Sequence, residues 1–279
     1  MDLASTSSVG ISTVAAAIAY PDSSDKLIGL LSTLEEKSIP YTVVGRASNL
    51  LFKSRVYNGI IVKTTKIKSK SVAENTITLS CGIMLADILH LALSLELGGI
   101  EGLYGIPGTV GGMVKSNAGA FGYEVSDRFV CAECYLPSEH RVCRTSREDM
   151  RFSYRSSALS YSGAILLCAS FDLVPKSRSD ISIEIAEYRE RRKNTQPTGY
   201  PSLGSIFKRY NGISAGYYVD KAGLKGYRIG GAEISQKHAG FIINKGGATA
   251  DDYIRLIEYV KERVYTVFGI ELEEEIQII

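Results

Sequence analysis

One stretch of this chain decides how the rest is interpreted: Gly102-Leu-Tyr-Gly-Ile-Pro-Gly-Thr-Val-Gly-Gly-Met-Val-Lys-Ser-Asn-Ala-Gly-Ala-Phe-Gly122. It holds seven glycines in twenty-one residues, a density that destabilises a regular helix or strand. Such a backbone takes positive φ angles or approaches another group closely. Pro107 is expected to open a helix at its first position, where free N–H groups suit a phosphate. Since the spacing is neither the dinucleotide fingerprint nor a P-loop, a cofactor cradle and a tight structural turn are both open.

A second loop of small residues, Gly45-Arg-Ala-Ser-Asn49, stands directly after a predicted strand at Tyr41–Val44. Its backbone N–H groups and the Ser48 hydroxyl suit a pyrophosphate, although a plain Asn-containing turn explains the loop equally well. Two such loops in one half of the chain favour a large dinucleotide ligand more than either loop does alone.

Around these loops the sequence predicts alternating strands and helices. A strand at Val14–Tyr20, a helix capped by Ser23 or Ser24 and the strand Tyr41–Val44 form a strand–helix–strand unit, which suggests a parallel pair. Further strands are expected at Gly59–Lys63, Thr76–Cys81, Arg128–Leu136, Arg141–Arg144, Ala164–Val174, Tyr227–Ile234 and Gly240–Asn244, and further helices at Leu85–Leu95, Ile181–Lys193 and Ala215–Ala222. The pattern is typical of an α+β or α/β chain.

The last thirty or so residues carry a helix and a strand pattern. Thr249 is expected to cap a long helix that Gly269 ends. The apolar side of this helix is expected to hold Tyr253, Ile257, Val260, Val264 and Val267. The stretch Ile270–Ile278 alternates apolar residues with Glu271, Glu273, Glu275 and Gln277, which predicts a strand with one polar face.

Composition excludes several classes of protein. The chain has 279 residues, a net charge of +2 and 22% charged residues, so it is expected to bind no nucleic acid through a basic tail. No apolar run is long enough to span a bilayer, and the N-terminal stretch lacks the cations of a secretory signal. Five cysteines, with one C-x-x-C at Cys131 and Cys134, predict neither a disulfide framework nor a complete zinc set. We therefore expect a cytoplasmic protein with no metal and no membrane contact.

Three polar residues each have a structural and a functional interpretation. Arg155, in Phe152-Ser-Tyr-Arg-Ser156, can pair with the acids just before it or polarise a ligand carboxylate. Ser205 has no adjacent histidine, so a loop hydroxyl is the simplest local interpretation, although a proton relay is chemically open to it. Glu275 is by default a solvated edge carboxylate.

Cationic residues offer a further choice. The cluster Arg189–Lys193 suits the C-terminal end of a helix or contacts an anionic ligand. His238 follows Ser235-Gln-Lys and is a candidate to line a ligand.

Taken in order, the motifs resemble those of one family. They are Gly45-Arg-Ala-Ser-Asn-Leu-Leu51, Gly105-Ile-Pro-Gly-Thr-Val-Gly-Gly112, Asn117-Ala-Gly-Ala120, Tyr154-Arg155, Gly204-Ser-Ile-Phe-Lys-Arg209, Ala222-Gly-Leu-Lys-Gly226, Gly230-Gly-Ala-Glu-Ile-Ser-Gln-Lys-His238, Gly240-Phe-Ile-Ile-Asn244, Ala248-Thr249 and Phe268-Gly-Ile-Glu-Leu-Glu-Glu-Glu-Ile276. Each is weak alone, but the ordered set is specific and covers nearly the whole chain. It is similar to the family of UDP-N-acetylenolpyruvoylglucosamine reductases, in its shorter second type.

The resemblance implies a fold and its ligands. It implies an α+β chain with a two-subdomain FAD-binding fold of the vanillyl-alcohol-oxidase/PCMH type at residues 1–175, divided near residue 64. A C-terminal α+β substrate domain follows at 176–279. It also implies non-covalent FAD, NADPH as co-substrate and a UDP-sugar substrate. We expect the protein to be a monomer.

Site residues follow from the same resemblance. Arg155 and Glu275 match the positions that stabilise charge on the substrate, and Ser205 matches the proton donor. The residues that match FAD contacts are Gly45, Arg46, Ala47, Ser48, Asn49, Leu50, Gly105, Ile106, Pro107, Gly108, Thr109, Gly111, Gly112, Asn117, Ala118 and Gly119. Those expected to contact substrate are Tyr154, Lys208, Arg209, Arg192 and His238.

The chain departs from the family pattern at a few positions. Ala47 stands where the family usually has glycine, and Tyr210 stands where proline commonly follows the Lys-Arg pair. Tyr217-Tyr218 replaces a more aliphatic or charged pair. Two other interpretations are a flavin oxidoreductase of the same cofactor fold with another substrate, and an inactive nucleotide-binding or structural protein.

Overall fold

The computed structural model describes residues 2–4 and 7–279. The α-helices in this part of the chain are α1 (Ser24–Glu36), α2 (Leu85–Ser94), α3 (Val110–Lys115), α4 (Arg147–Met150), α5 (Arg178–Thr195), α6 (Ala215–Lys221) and α7 (Ala250–Phe268). The strands are β1 (Val14–Ala19), β2 (Tyr41–Val44), β3 (Leu50–Leu51), β4 (Val56–Lys63), β5 (Lys70–Ala73), β6 (Thr76–Ser80), β7 (Leu97–Gly98), β8 (Gly119–Ala120), β9 (Tyr123–Glu124), β10 (Phe129–Leu136), β11 (Arg141–Ser146), β12 (Ile165–Asp172), β13 (Val174–Pro175), β14 (Ser202–Ser205), β15 (Arg228–Ile229), β16 (Ala232–Ile234), β17 (Phe241–Asn244) and β18 (Gln277–Ile278). Across the described residues, no helix combines the length and the apolarity needed to cross a membrane.

The chain divides into two units. The larger comprises Ala17–Arg46 and Gly59–Arg191; the smaller comprises the residues up to Ala16, Ala47–Asn58 and Arg192–Ile279. The division after Arg191 falls inside α5, whereas the sequence suggested a boundary at residues 175 and 176. The assignment of FAD and substrate domains to 1–175 and 176–279 stays a prediction.

An antiparallel sheet dominates the larger unit, with the strand order β11-β10-β12-β6-β5. Helix α2 turns one face into the core of this unit by burying Leu85, Ile88, Leu89 and Ala92. These positions follow the i, i+3, i+4, i+7 spacing of an amphipathic helix. Burying each large apolar side chain stabilises the unit by about 1.5–3 kcal/mol.

The N-terminal strand–helix–strand unit forms, but its pairing differs from the prediction. Helix α1 is capped by Ser23, whose Oγ accepts the N–H of Lys26 at 3.2 Å, and Pro40 precedes β2 as expected. However, the sheet order is β1-β4-β2, so β1 and β2 are not neighbours. Strand β4 lies between them and pairs with β2 in parallel. The prediction of a direct pair was wrong because a later strand, whose residues Ile61 and Val62 are fully buried, takes the central place.

The smaller unit packs a sheet against one long helix. The sheet order is β14-β17-β16-β15, and its pairs are antiparallel. Helix α7 begins with a reciprocal capping box between Thr249 and Asp252 and ends at Gly269, whose φ is 67°. Its buried face holds Tyr253, Leu256, Ile257, Val260 and Val264. The cap at Thr249 and the end of the helix at Gly269 are both as predicted.

Two details of the C-terminal prediction were wrong. Val267 is 44% exposed, because the buried face of α7 ends at Val264 and its last residues lie open to solvent. Regular strand in the stretch 270–278 is restricted to β18, which pairs in parallel with β3. The alternation still separates the faces, since Ile270, Leu272 and Ile276 are buried.

Candidate active site

Helix α3 begins later than the sequence predicts. Pro107 does not open it, because Thr109 is the N-cap residue. Two N–H groups of its first turn, those of Val110 and Gly111, donate to carbonyl oxygens of the β6–α2 connection at 2.9 Å each. These bonds tie the glycine-rich segment to the sheet. The N–H groups that the sequence suggested for a phosphate are therefore partly occupied by the protein itself.

The two small-residue loops predicted from the sequence meet at Gly45 and Thr109. A Cβ atom at Gly45 would stand 2.2 Å from Thr109 Oγ1, 3.1 Å from its Cγ2 and 3.2 Å from its Cβ. Only glycine permits this approach. Thr109 is 1% exposed, and its Oγ1 has no hydrogen-bond partner among the described residues. A buried, unsatisfied hydroxyl is costly, and a polar ligand atom at this place would satisfy it.

Gly112 gives a second indication of a ligand. It lies exposed in α3, and a Cβ there would meet only Thr109 Oγ1, at 3.9 Å. Glycine inside a helix costs about 1 kcal/mol relative to alanine, and no neighbour in the described chain requires it. A bare backbone on an exposed helix face fits a flat ligand that lies against it. Other predicted cofactor residues are in the same unit, namely Gly105, Ile106, Gly108 and Ala118.

Three cations in the larger unit, Arg46, Lys63 and Lys115, favour the binding of an anionic ligand. Burial lowers the pKa of the Lys63 ammonium, and the charge of Arg46 lowers it further. Burial also lowers the pKa of Lys115, which shares a helix face with Gly111 and Gly112 by its i−4 and i−3 spacing. A buried cation, and a pair of like charges such as Arg46 and Lys63, is stabilised when an anionic ligand neutralises it.

Asn117, Gly119 and Arg155 come together, although thirty-eight positions separate the first from the last in sequence. Asn117 Nδ2 donates to the Ser153 carbonyl at 3.1 Å, and Arg155 Nη2 donates to the Gly119 carbonyl at 2.9 Å. The guanidinium carbon of Arg155 lies 5.1 Å from the ring centre of Tyr154. The predicted cofactor segment and a predicted catalytic residue are thus parts of one hydrogen-bonded structure.

In the smaller unit, Ser205 and Glu275 lie on adjacent segments. Ser205 ends β14, pairs with Phe241 and follows Gly204, whose φ is 81°. The next carbonyl, of Ile206, accepts the N–H of Glu275 at 2.7 Å. Glu275 is therefore held next to the end of β14 rather than on an isolated edge.

The loop residues Ala47–Leu50 belong to this smaller unit. Asn49 Nδ2 donates to the Glu275 carbonyl at 3.0 Å, and the Asn49 carbonyl accepts from Gln277 at 2.9 Å. Leu50 is the first residue of β3, and Ser48 precedes it in the turn. Ala47 has φ 52°. The alanine adopts the left-handed conformation that glycine would take without strain.

The residues expected to contact substrate in this unit are Lys208, Arg209, Arg192 and His238. Lys208 forms an ion pair with Glu273 and donates its N–H to the Glu273 carbonyl at 2.8 Å, and Arg209 is exposed. Arg192 Nη1 donates to Gln196 at 2.9 Å. His238 Nδ1 accepts the Gly240 N–H at 3.1 Å, and burial lowers the pKa of its imidazole.

The cysteines do not assemble a metal site in the described part of the chain. No group of three His, Cys, Asp or Glu side chains there is placed to hold a metal ion, and the cysteines are free thiols. Cys131 and Cys134 lie on β10, where Cys134 is buried and Arg144 donates to Cys131 Sγ at 3.3 Å.

Known proteins match both halves of the chain. Residues 15–143 match a model of an FAD binding domain, and residues 196–279 match the C-terminal domain of UDP-N-acetylenolpyruvoylglucosamine reductase. A reductase of that name from Caldicellulosiruptor bescii is 47% identical over 264 residues, which cover 94% of this chain and 84% of the relative. The chain belongs to the UDP-N-acetylenolpyruvoylglucosamine reductase family. A member from Streptococcus suis is 40% identical over 262 residues, covering 94% and 86% of the two chains.

A solved structure supports the same family. The crystal structure of UDP-N-acetylenolpyruvylglucosamine reductase from Thermus caldophilus aligns with a TM-score of 0.85 and 29% identity, covering 100% of this chain and 97% of the other. The predicted family and the predicted α+β fold are confirmed. The chain is an oxidoreductase, and FAD is its cofactor.

Sequence reasoning missed three residues of the larger unit that bear on the site. Lys63 and Lys115 gave no signal, because a single lysine in a strand or short helix has no distinctive pattern. Glu124 had one, since Glu124-Val-Ser-Asp127 has the spacing of a capping box. The structure shows that box, with both halves formed.

Proposed function

We propose that this enzyme uses NADPH to reduce the enolpyruvyl group of UDP-N-acetylglucosamine enolpyruvate, giving UDP-N-acetylmuramate for peptidoglycan precursor synthesis. The observation that carries the proposal is the unpartnered Thr109 hydroxyl against Gly45, together with family membership over both halves of the chain. We further propose that it acts in the cytoplasm as a monomer, on small molecules rather than on nucleic acids or membranes.

Gly45, Thr109 and Gly112 are the residues that would hold the cofactor closely, and Arg46, Ser48, Asn49, Asn117 and Gly119 would also contact it. FAD supplies hydride transfer when bound. In the net reaction the carbon–carbon double bond gains a hydride at its β-carbon and a proton at its α-carbon, and NADPH provides the two electrons. The rest of the chemistry belongs to side chains of this chain.

Arg155 and Glu275 would act on the substrate carboxylate, where negative charge grows as the hydride adds. The guanidinium presents several N–H donors in a fixed fork, which suits a carboxylate. The Arg155 guanidinium is already oriented by Tyr154 and by the Gly119 carbonyl. A preoriented cation loses less free energy when it binds the developing charge.

Ser205 would give its hydroxyl proton to the α-carbon. A serine hydroxyl is a weak acid in water, but the carbanion or enolate formed by hydride addition is a strong base. The backbone of Ser205 is fixed by its pairing with Phe241 and by the positive φ of Gly204. Proton transfer by a positioned group contributes about 10²–10⁴-fold in rate.

Lys208, Arg209 and Arg192 would bind the UDP diphosphate, to which cations donate charge-assisted hydrogen bonds. Tyr154 and His238 would line the substrate. His238 suits a neutral contact because burial lowers its pKa.

The test compares Ser205→Ala with Ser202→Ala, which removes a hydroxyl from the same strand. We expect Ser205→Ala to retain FAD and to undergo flavin reduction by NADPH at the normal rate. Its turnover of the enolpyruvyl substrate should fall about 10²–10⁴-fold, while Ser202→Ala stays active. Single-turnover absorbance of the flavin measures both steps. Equal loss of flavin reduction in Ser205→Ala would remove the proton-donor role.

A further inference from the structure

The turn that presents Arg155 is held in a strained conformation. Ser153 and Ser156 exchange both backbone hydrogen bonds at 3.1 Å each, so Tyr154 and Arg155 occupy the two central positions. Arg155 has φ 56°, and a non-glycine residue in this left-handed region costs about 1–2 kcal/mol. Neighbouring contacts must offset that strain for the turn to persist.

Asn117 supplies the contact that fixes this turn from outside. Its side chain is 1% exposed and makes three hydrogen bonds. The Nδ2 group donates to the Ser153 carbonyl at 3.1 Å and to Glu124 Oε2 at 2.9 Å, and Oδ1 accepts the Ser126 N–H at 3.0 Å. Because both the oxygen and the nitrogen of this amide form hydrogen bonds, the amide has one orientation. The Ser153 carbonyl that is bonded to it is therefore held in one position.

Glu124 helps to determine which way the Asn117 amide faces. A carboxylate only accepts hydrogen bonds, so the NH₂ side of the amide must point towards it. The Glu124 side chain itself is fixed by the capping box, in which it accepts the N–H of Asp127. The Asp127 carboxylate in turn accepts the Glu124 N–H at 2.7 Å. The hydrogen bonds therefore run from the cap of a short 3₁₀ helix, Val125–Asp127, through one amide to the turn of Arg155.

We propose that Glu124 is a positioning residue for Arg155, acting through the Asn117 amide and the Ser153 carbonyl. The proposal rests on the proposed function, in which Arg155 stabilises charge on the substrate. Asn117 then contributes its side chain to the turn, and only its backbone is left to face the cofactor. Loss of the Glu124 carboxylate removes one of the three hydrogen bonds that hold the amide, which loosens it and lets the Arg155 turn relax.

Asp127 offers a matched control. Asp127→Ala removes the other half of the same capping box but leaves the hydrogen bonds of the Asn117 side chain in place. If the cap mattered only for stability, Glu124→Ala and Asp127→Ala would behave alike. If Glu124 positions Arg155, the two variants differ in catalysis.

The experiment measures the FAD-loaded enzyme with NADPH and the enolpyruvyl substrate. We expect Glu124→Ala to retain FAD and normal flavin reduction by NADPH, while kcat for substrate reduction falls about 10–100-fold, as a small misplacement of a catalytic group does. Asp127→Ala should keep kcat within about threefold. Glu124→Gln, which retains an acceptor oxygen, should recover part of the loss. Equal kcat losses in Glu124→Ala and Asp127→Ala would overturn the proposal.

A double-mutant cycle with Arg155→Ala separates this proposal from the proposed function. Coupling through Arg155 predicts that Glu124→Ala causes little further loss once Arg155 is removed. An undiminished loss in that background would refute the positioning role, whereas normal turnover by Arg155→Ala alone would refute the role of Arg155 itself. Amide hydrogen exchange at Ser156, whose N–H is bonded to Ser153, should speed up in Glu124→Ala and not in Asp127→Ala. Unchanged exchange in both variants would also contradict the proposal.

Discussion

The glycine-rich segment of the larger unit and the segment Gly204–Arg209 of the smaller unit are suited to ligands in opposite ways. Around α3 the features that suit a ligand are missing atoms: Gly45 permits the approach of Thr109, and Gly112 leaves an exposed helix face bare. After Gly204 the features are functional groups, a hydroxyl at Ser205 and cations at Lys208 and Arg209. Function should therefore suffer in the first segment when a substitution adds side-chain atoms, and in the second segment when a substitution removes a functional group.

This difference follows from what the cofactor and the substrate each require of the protein. A large, flat cofactor gains contact area when backbone comes close, which side chains prevent. A charged substrate that changes charge during the reaction requires groups aimed at particular atoms. Mutations that add atoms and mutations that remove them therefore test the comparison between the two segments.

The largest effect is expected at Gly45. In Gly45→Val, branched methyl groups would enter the space of the buried Thr109 side chain, whichever rotamer Thr109 takes, since its Oγ1, Cγ2 and Cβ all lie within 3.2 Å of the first added carbon. Overpacking of this kind costs about 1–3 kcal/mol or more. We expect lower thermal stability and purification without flavin. If Gly45→Val were purified with bound flavin and had normal stability, the comparison between the two segments would be wrong.

Gly112→Ala separates stability from cofactor binding. The added methyl has room, and alanine favours the helix by about 1 kcal/mol, so the apoprotein should become equally or more stable. FAD affinity should fall about tenfold or more, because the methyl occupies the bare helix face. Titration of apoprotein with FAD, beside its thermal unfolding, measures both. Unchanged affinity would mean that no ligand lies against this face.

An intermediate effect is expected at Lys208. Lys208→Met removes a cation while keeping the length of the side chain, and KM for the UDP-sugar should rise about tenfold. Flavin content should not change. Glu273→Gln is the control, since it breaks the ion pair with Lys208 but keeps the cation. An exposed pair of this kind contributes only about 0–1 kcal/mol to stability. A similar KM rise in both variants would show that the pair, not the cation, matters.

The smallest effect is expected at Ala47. Its φ of 52° strains alanine, so Ala47→Gly removes strain of about 1 kcal/mol, partly offset by the greater freedom of glycine in the unfolded chain. We expect the free energy of unfolding to change by less than about 1 kcal/mol, with FAD affinity equal or higher. Chemical denaturation and FAD titration give the two values. Weaker FAD binding by Ala47→Gly would show that the alanine methyl itself contacts the ligand.

Local signals in the sequence predicted the regular elements well, and long-range pairing less well. Ser23 and Thr249 begin helices and Gly269 ends one where expected, because caps depend on neighbouring residues. The insertion of β4 between β1 and β2 depends on strands far apart in sequence, which periodicity does not encode. Pro107 was misplaced as a helix start because Val110 and Gly111 are bonded to another loop.

Prediction of the site shows the same difference between local signals and long-range contacts. The loops at Gly45 and at Gly105–Gly112 were identified by composition, but their contact through Thr109 required the fold. Ser205 and Glu275 were identified only through the family resemblance, since each alone is an ordinary polar residue. Glu124 was missed because its importance lies in a chain of hydrogen bonds through Asn117.

The pairing of β3 with β18 has a consequence for biosynthesis. Asn49 and Glu275 are bonded although 226 positions apart, and β3 finds its partner among residues made at the far end of the chain. At about 5–20 residues per second, a ribosome needs roughly 10 to 45 seconds to supply that partner. Until then the edge of β3 is unpaired, and the preceding loop, which we propose to contact FAD, is completed late in translation. Flavin retention should therefore follow synthesis of the C-terminal segment rather than precede it.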